Sequence, residues 1–226
     1  TVVKMGLDKE PYLEFKDADL VGTGSRDSVE VIGTLGRYYP ASTRFEGEKG
    51  TIYWYRAGFG SNVKAEFKNY TVDTRYPHVH VENALFYYPK FFAKPILGSV
   101  DDKAGLESNE DKVSYPRFKS YEDEIYISNI YRNVDYIGGF EMRGAMIRGF
   151  SGKGKMAELY ISSSKKRHIV AVNAVHYLFK EETVRANDAR VMVYIEEDSI
   201  YHPSANFLYN EKTSELLISR PKYGVG

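Results

Sequence analysis

The sequence predicts an all-β protein with mostly antiparallel strands, in a β-sandwich or a solenoid-like arrangement. In many short segments apolar residues occupy every second position, which is the pattern of a strand with one buried face. These segments recur about every ten residues, and clusters of glycine, proline and polar residues separate them. Aromatic side chains, which pack well on pleated sheets, make up 15% of the chain. The sequence leaves the choice between sandwich and solenoid open.

Five strands are predicted in the first half of the chain, at residues 12–16, 28–35, 51–56, 63–67 and 79–88. In the first of them, Leu13 and Phe15 lie two positions apart and would share a buried face. Gly33 interrupts the second strand and indicates a bulge or the close approach of another backbone. Gly47 and Gly50 are expected to form the turn that leads into the third strand.

In the second half, strands are predicted at residues 124–131, 137–142, 146–150, 156–161, 168–179, 190–195, 206–209 and 216–219. A short helix is the alternative for the first of these, and residues 184–189 fit either a strand or one helical turn. Residues 101–114 are the best candidate for a linker, because they contain almost no large apolar residue and carry excess acidic charge. The sequence therefore predicts two β-units, residues 1–105 and 106–226.

A shift of the chain by 105 residues suggests that these units are two divergent repeats. The shift aligns seven identical residues over about sixty positions: Ile32, Gly33, Phe45, Gly47, Tyr55, Val79 and Ala84 match Ile137, Gly138, Phe150, Gly152, Tyr160, Val184 and Ala189. Chance alone would produce several such identities. The matches do fall on turn glycines and strand-centre apolar residues, where structure constrains the residue type. The sequence is equally compatible with two units that arose by duplication and with two unrelated units.

The composition removes several classes of function. The chain has 31 basic and 31 acidic residues, so it lacks the basic excess that nucleic-acid binding requires. It has no cysteine, which excludes disulfides, thiol catalysis and Cys-ligated metals. No apolar run is long enough for a transmembrane helix, and no motif indicates a cofactor. The opening at Thr1 suggests a piece of a longer chain.

Several segments of the sequence resemble segments of known proteins. They are Ile32-Gly-Thr-Leu-Gly-Arg-Tyr-Tyr-Pro, residues 45–54, Asp198-Ser-Ile-Tyr-His-Pro, and the aromatic segment at residues 206–209. Together they cover about a third of the chain and resemble segments of very long, β-rich secreted proteins of the Bacteroidetes. The resemblance implies an extracellular or cell-envelope location and supplies no catalytic residues. The strand spacing alone is also similar to that of β-groove proteins that carry lipopolysaccharide.

Two clusters were considered as metal sites, and neither supports a metal prediction. His78 and His80 would share one face of a strand, as in some zinc sites, but no third ligand is specified. Asp198, at the end of the acidic run 196–198, is followed by His202 and could offer oxygen ligands to Ca²⁺. Surface histidines and a charged turn explain the two patterns more simply. With 31 acidic residues, the sequence nominates no particular carboxylate pair for catalysis.

The aromatic residues give the better functional indication. The candidate ligand-binding residues are Tyr53, Trp54, Tyr55, Tyr87 and Tyr88, because flat rings on a sheet can stack against sugar rings. Trp54 would face opposite to its two neighbours, and we expect it in the core and the two tyrosines at the surface. We predict a non-catalytic structural or adhesive β-module of a larger secreted or envelope protein. A carbohydrate-binding module and a glycan-active hydrolase or lyase are the alternatives; the partner would be a polysaccharide or another envelope protein.

Overall fold

The computed structural model describes residues 2–5, 10–24, 28–104, 115–131, 133–152, 155–161, 167–171, 174–178, 183–195, 197–210, 212–213 and 215–220. These residues contain seventeen strands and two short 3-10 helices, so the predicted all-β class is confirmed. Every strand pair whose register is defined is antiparallel. Within the described part, no helix has the length and apolar character needed to cross a membrane.

The chain forms two compact units, Thr1–Phe118 and Lys119–Gly226. The boundary predicted near residue 105 and residues 105–114 of the predicted linker lie outside the described residues. The start of that linker, from Asp101 to Lys103, instead belongs to a strand of the first unit. The physical reason is that Asp102 is buried and forms an ion pair with Arg56, so this acidic stretch is not solvated as its composition suggested.

The first unit is an antiparallel meander. Its strands are β1 (Val2–Met5), β2 (Pro11–Thr23), β3 (Ser28–Tyr39), β4 (Arg44–Tyr53), β5 (Lys64–Asp73), β6 (His78–Tyr87) and β7 (Ile96–Lys103). Each strand pairs with the next one along the chain. Two 3-10 helices, Tyr55–Ala57 and Gly60–Asn62, connect β4 to β5. The next strand, β8 (Arg117–Ser120), contains the boundary between the units.

The four central strands of the meander share an irregularity in their alternation. In each of them two consecutive residues face outward, so that the buried positions on either side of the pair are three apart instead of two. These pairs are Ile32-Gly33, Glu48-Lys49, Lys68-Asn69 and Glu82-Asn83. Because the phase shifts, both halves of each strand bury the same face, and the strand bends at the pair.

Residues that tolerate left-handed backbone stand at these bends. Gly33, Asn69 and Asn83 have φ values of +61°, +53° and +56°, and Asp17 in the neighbouring β2 has +53°. Glycine, asparagine and aspartate are the residues that adopt this conformation most readily. The prediction of a bulge at Gly33 is confirmed, since the pairing register also shifts around it.

Gly47 and Gly50 do not form the predicted turn; both lie inside β4. The ring of Tyr70, on β5, lies over Gly47, where a Cβ atom would collide with it; a Cβ atom at Gly50 would collide with Val31 and with the Tyr70 hydroxyl oxygen. The strand then ends at Tyr53, two residues after Thr51, instead of continuing to residue 56. The glycines are therefore explained by a close approach of a side chain, and the prediction of a turn was wrong.

The second unit is built on the same principles. Its strands are β9 (Ile125–Tyr131), β10 (Val134–Arg143), β11 (Met146–Phe150), β12 (Ala157–Ile161), β13 (Arg167–Ala171), β14 (Ala174–Leu178), β15 (Thr183–Ile195), β16 (Asp198–Asn210) and β17 (Glu215–Ser219). The strand interpretation of residues 124–131 and 184–189 is therefore correct, and the helical alternatives are wrong. In β15, Asn187 and Asp188 both face outward, and Asp188 has a φ of +52°, which repeats the phase shift of the first unit.

Candidate functional site

The bends of the first unit create a groove on the outer face of its sheet. We call this cavity of about 960 Å³ the bulge groove, because it follows the row of outward pairs across the strands. The residues that line it come mainly from four neighbouring strands, and we call the part on β4 and β5 its floor: Gly33 is on β3, Lys49, Thr51 and Tyr53 are on β4, Glu66, Lys68, Asn69 and Thr71 are on β5, and His80, Glu82, Asn83 and Leu85 are on β6. The groove is thus open and lined mainly by polar residue types, and Tyr53, at the end of β4, contributes an aromatic ring.

Two tyrosines at the end of β4 form a stacked pair. The ring centroids of Tyr53 and Tyr55 are 4.9 Å apart and their planes differ by 16°. Tyr55 is 51% exposed, and Tyr53 is half-buried and lines the groove. The helix that begins with Tyr55 is closed by Gly58, which has a φ of +83° and donates its N–H to the Tyr55 carbonyl at 2.9 Å. Glycine meets this left-handed position without steric cost, and the short helix fixes Tyr55 beside Tyr53.

Lys64 connects this tyrosine pair to Tyr87 across the sheet. In the strand register Lys64 is opposite Tyr53 on one side and Tyr87 on the other. Its ammonium lies 5.1 Å from the centroid of the Tyr87 ring and donates to Glu66 Oε1 at 2.5 Å. The hydrogen bond to Glu66 raises the pKa of Lys64, and partial burial is the main cause that raises the pKa of Tyr87. Three of the predicted ligand-binding tyrosines therefore belong to one surface.

Trp54 and Tyr88 do not belong to that surface, and this corrects the predicted set. Trp54 is 0% exposed and packs edge-on against Phe86 with centroids 5.2 Å apart. Tyr88 is also buried, packs against Phe59, and has a pKa that burial raises to about 12. Alternation along the strands directs both side chains inward, so neither ring can contact a ligand on the outer face. The expectation that Trp54 lies in the core agrees with this placement.

The two lysines on the groove floor are adjacent across the sheet. Lys49 of β4 and Lys68 of β5 are direct partners in the register, and both are exposed. Among the described residues, no carboxylate lies within ion-pairing distance of either ammonium. These lysines were not identified from the sequence. A signal was present in β5, since the apolar residues Phe67 and Tyr70 are three positions apart instead of two, and this spacing marks the bend at Lys68.

The two histidines near the groove are engaged with carboxylates. His78 Nε2 lies 2.6 Å from Asp101 Oδ1, and His80 Nε2 lies 3.1 Å from Glu82 Oε1. In the part of the chain that the structure describes, no three metal-ligating side chains are grouped to hold an ion. Of the second cluster considered for a metal, residue 196 lies outside the described residues, and Asp198 is exposed at the start of β16.

Comparison with known proteins adds no relative: no family model, no curated protein and no solved structure matches this chain. The resemblance to secreted proteins of the Bacteroidetes therefore stays a prediction. The geometry of the groove is the basis for a function.

Proposed function

We propose that this chain is a non-catalytic adhesive β-module of a larger secreted or cell-envelope protein, and that it adheres by binding carbohydrate in the bulge groove. The observation that carries this proposal is the parallel stack of two tyrosine rings beside an open groove: Tyr53 lines the groove, and Tyr55, which stacks on it, lines a small adjoining cavity. A tyrosine offers a flat apolar ring together with a hydroxyl that can remain in water, which suits a ligand with one apolar face and many hydroxyl groups. The location rests on the resemblance described above.

The polar side chains of the groove support recognition of a sugar. The hydroxyl group of Thr51 and the amide group of Asn69 offer both hydrogen-bond donors and acceptors. Their backbones are fixed in the sheet, so the groove loses little conformational freedom when a ligand binds. A preformed groove with a few polar groups beside an aromatic surface is a general feature of ligand sites.

The arrangement of two carboxylates in the groove, Glu66 and Glu82, favours binding over hydrolysis. Glu66 accepts a hydrogen bond from Lys64, and Glu82 is paired with His80. A glycosidase instead needs two carboxyl groups that face each other across the scissile bond, one of them able to protonate it. We therefore place the hydrolase or lyase alternative behind the binding module.

Substitution of the exposed tyrosine tests the proposal. The Tyr55→Ala variant removes most of the stacked surface and should weaken polysaccharide binding about tenfold, which corresponds to about 1.4 kcal/mol. Tyr55→Phe keeps the ring and should bind nearly as well as the parent chain. Tyr76→Ala is the matched control, since Tyr76 is 62% exposed in the same unit but lines a cavity that shares no residue with the groove.

Affinity electrophoresis and calorimetry against a panel of soluble polysaccharides would provide the measurement. Loss of binding in Tyr55→Ala and its retention in Tyr76→Ala support the groove as the adhesive surface. If no polysaccharide binds the parent chain, the carbohydrate part of the proposal is wrong, and another envelope protein becomes the candidate partner.

A further inference from the structure

We infer that the bulge groove takes an acidic polysaccharide, whose carboxylate or sulfate groups lie between Lys49 and Lys68. This inference rests on the proposed carbohydrate-binding function and specifies its ligand. It begins from the register, which places the two lysines directly opposite each other on adjacent strands. Side chains in such positions are close neighbours, and like charges there destabilise a sheet. An anion between the two ammonium groups would turn this repulsion into two favourable contacts.

The remaining charges of the groove leave the lysines available. The Glu66 carboxylate accepts the hydrogen bond from Lys64, and Glu82 is engaged with His80. Asp17 also lines the groove, but it is on β2, with β3 between it and β4. The backbones of β2 and β4 are therefore two strand spacings apart, which is about 9.6 Å. No ion pair forms between Asp17 and Lys49. The floor of the groove therefore carries the charges of Lys49 and Lys68, while Lys64 offsets the charge of Glu66.

The distance between the lysines and the tyrosines indicates a ligand longer than a single sugar. Lys49 and Tyr53 both face outward on β4 and are four residues apart. A strand rises about 3.3 Å per residue, so the two positions are about 13 Å apart along the groove floor. One monosaccharide ring cannot contact both ends at once. A chain of linked sugars could stack one ring near Tyr53 and place an acidic group of another ring at the lysines.

A ligand that fits this groove needs an anionic group for the two lysines and a sugar ring for the tyrosine. Nucleic acid also carries anionic groups, but the chain as a whole has equal numbers of basic and acidic residues. A polyphosphate backbone requires an extended positive surface, whereas the groove offers one pair of adjacent lysines. An acidic polysaccharide needs only a local pair of cations and an aromatic ring, which is what the groove contains.

Matched polysaccharides test the inference in the complete chain. Polygalacturonate and its fully methyl-esterified form share one backbone and differ in the carboxylate; dextran sulfate and dextran differ in the sulfate. We expect the acidic member of at least one pair to bind at least tenfold more tightly than its neutral partner. The preference should shrink as sodium chloride rises from 50 to 500 mM, because salt screens exposed charges.

Single substitutions locate the charge. Lys49→Gln and Lys68→Gln should each weaken acidic-polysaccharide binding at least fivefold, and Lys68→Arg, which keeps the charge, should retain most of it. Lys94→Gln is the matched control, since Lys94 is an exposed lysine of the same unit that does not line the groove, and it should change binding less than twofold. Thermal melting of each variant confirms that the sheet is folded.

The outcomes separate this inference from the function on which it rests. Equal binding of the neutral and acidic members, with a Tyr55→Ala defect, would overturn the acidic ligand and leave the carbohydrate module standing. Acidic binding that Lys94→Gln weakens as much as Lys49→Gln would show general charge attraction and would also overturn the inference. Failure of every polysaccharide to bind would remove both.

Discussion

The side chain of Tyr70, on β5, crosses β4 and places its hydroxyl oxygen 2.5 Å from that of Thr34 on β3. The crossing is possible because the two β4 residues beneath the side chain are Gly47 and Gly50. In the second unit Tyr136 also packs against two glycines, Gly138 and Gly149, but its hydroxyl group donates to the carbonyl of Gly139 on its own strand at 2.6 Å. In the first unit the crossing lies directly behind the groove, since Tyr70 follows the floor residue Asn69.

We predict that Gly47→Ala destabilises the first unit by about 1–3 kcal/mol, because its methyl group would overlap the Tyr70 ring and force both strands to shift. The measurement is guanidinium unfolding followed by the emission of Trp54, which is the only tryptophan and is buried in this unit. The Tyr70→Ala background provides the control, since the ring is then absent. If Gly47→Ala costs as much in that background, the two residues are not coupled and the explanation is wrong.

The same tyrosine predicts a loss of stability at alkaline pH. Burial raises the pKa of Tyr70 to about 12, while its hydrogen bond with Thr34 opposes the rise. A tyrosine in the unfolded chain ionises near pH 10, so the folded state binds more protons between pH 10 and 12. Stability from this group is complete below pH 10 and falls by up to about 1.4 kcal/mol per pH unit as the pH rises toward 12.

The Tyr70→Phe variant isolates that contribution. At pH 7 it should be about 1 kcal/mol less stable than the parent chain, because Thr34 loses its hydrogen-bond partner. Between pH 10 and 11.5 this difference should shrink, since only the parent chain loses the contribution of this tyrosine. Unfolding curves at pH 7, 9.5 and 11 provide the comparison, and a difference that stays constant with pH would contradict the assignment.

The left-handed conformation of Asn69 predicts an unusual order of stabilities at one position. Valine, which suits ordinary strands, should destabilise the unit by about 1–3 kcal/mol at position 69, because a β-branched side chain is strained at a φ of +53°. Glycine, normally unfavourable in strands, should be tolerated with little change. Thr71→Val, two residues later on the same exposed face, is the control and should stay within about 0.5 kcal/mol. A position 69 at which valine is better tolerated than glycine would mean that β5 does not bend there.

The sequence predicted the fold class well because two-residue alternation depends only on which side chains are buried. It predicted that Trp54 is in the core and that Gly33 marks a bulge, since both follow from local rules. It could not explain Gly47 and Gly50, because the cause is side chains that arrive from neighbouring strands. The groove was missed for a related reason: its shape arises when the bends of separate strands align, and the alignment depends on register.

The candidate ligand-binding set shows the same limit. Tyr53 and Tyr55 were expected at the surface and lie with Tyr87 on one outer surface, whereas Tyr88, the fourth candidate tyrosine, is buried. The sequence shows a run of aromatic residues, but it does not show where the strand ends. The end of the strand decides on which face of the sheet each aromatic side chain lies. Whether the two units are repeats also stays a prediction, although Asn83 and its counterpart in the 105-residue shift, Asp188, share the left-handed conformation.

The last prediction concerns the ion pair that holds the helix carrying Tyr55. Arg56, in that helix, forms an ion pair with Asp102 of β7, whose side chain is only 3% exposed and also accepts the Lys103 N–H at 2.9 Å. Arg56→Met should cost about 3 kcal/mol, because it removes a cation that is paired with a buried carboxylate. The Arg56→Met/Asp102→Leu double variant should recover much of that loss, since it removes the charge as well. Arg75→Met is the control, because its partner Asp73, the last residue of β5, has a side chain that is 39% exposed, and should have little effect. If Arg56→Met and Arg75→Met are equally mild in guanidinium unfolding, the Arg56 pair is effectively solvated. If Arg56→Met instead weakens polysaccharide binding together with stability, the ion pair also positions Tyr55 beside the groove.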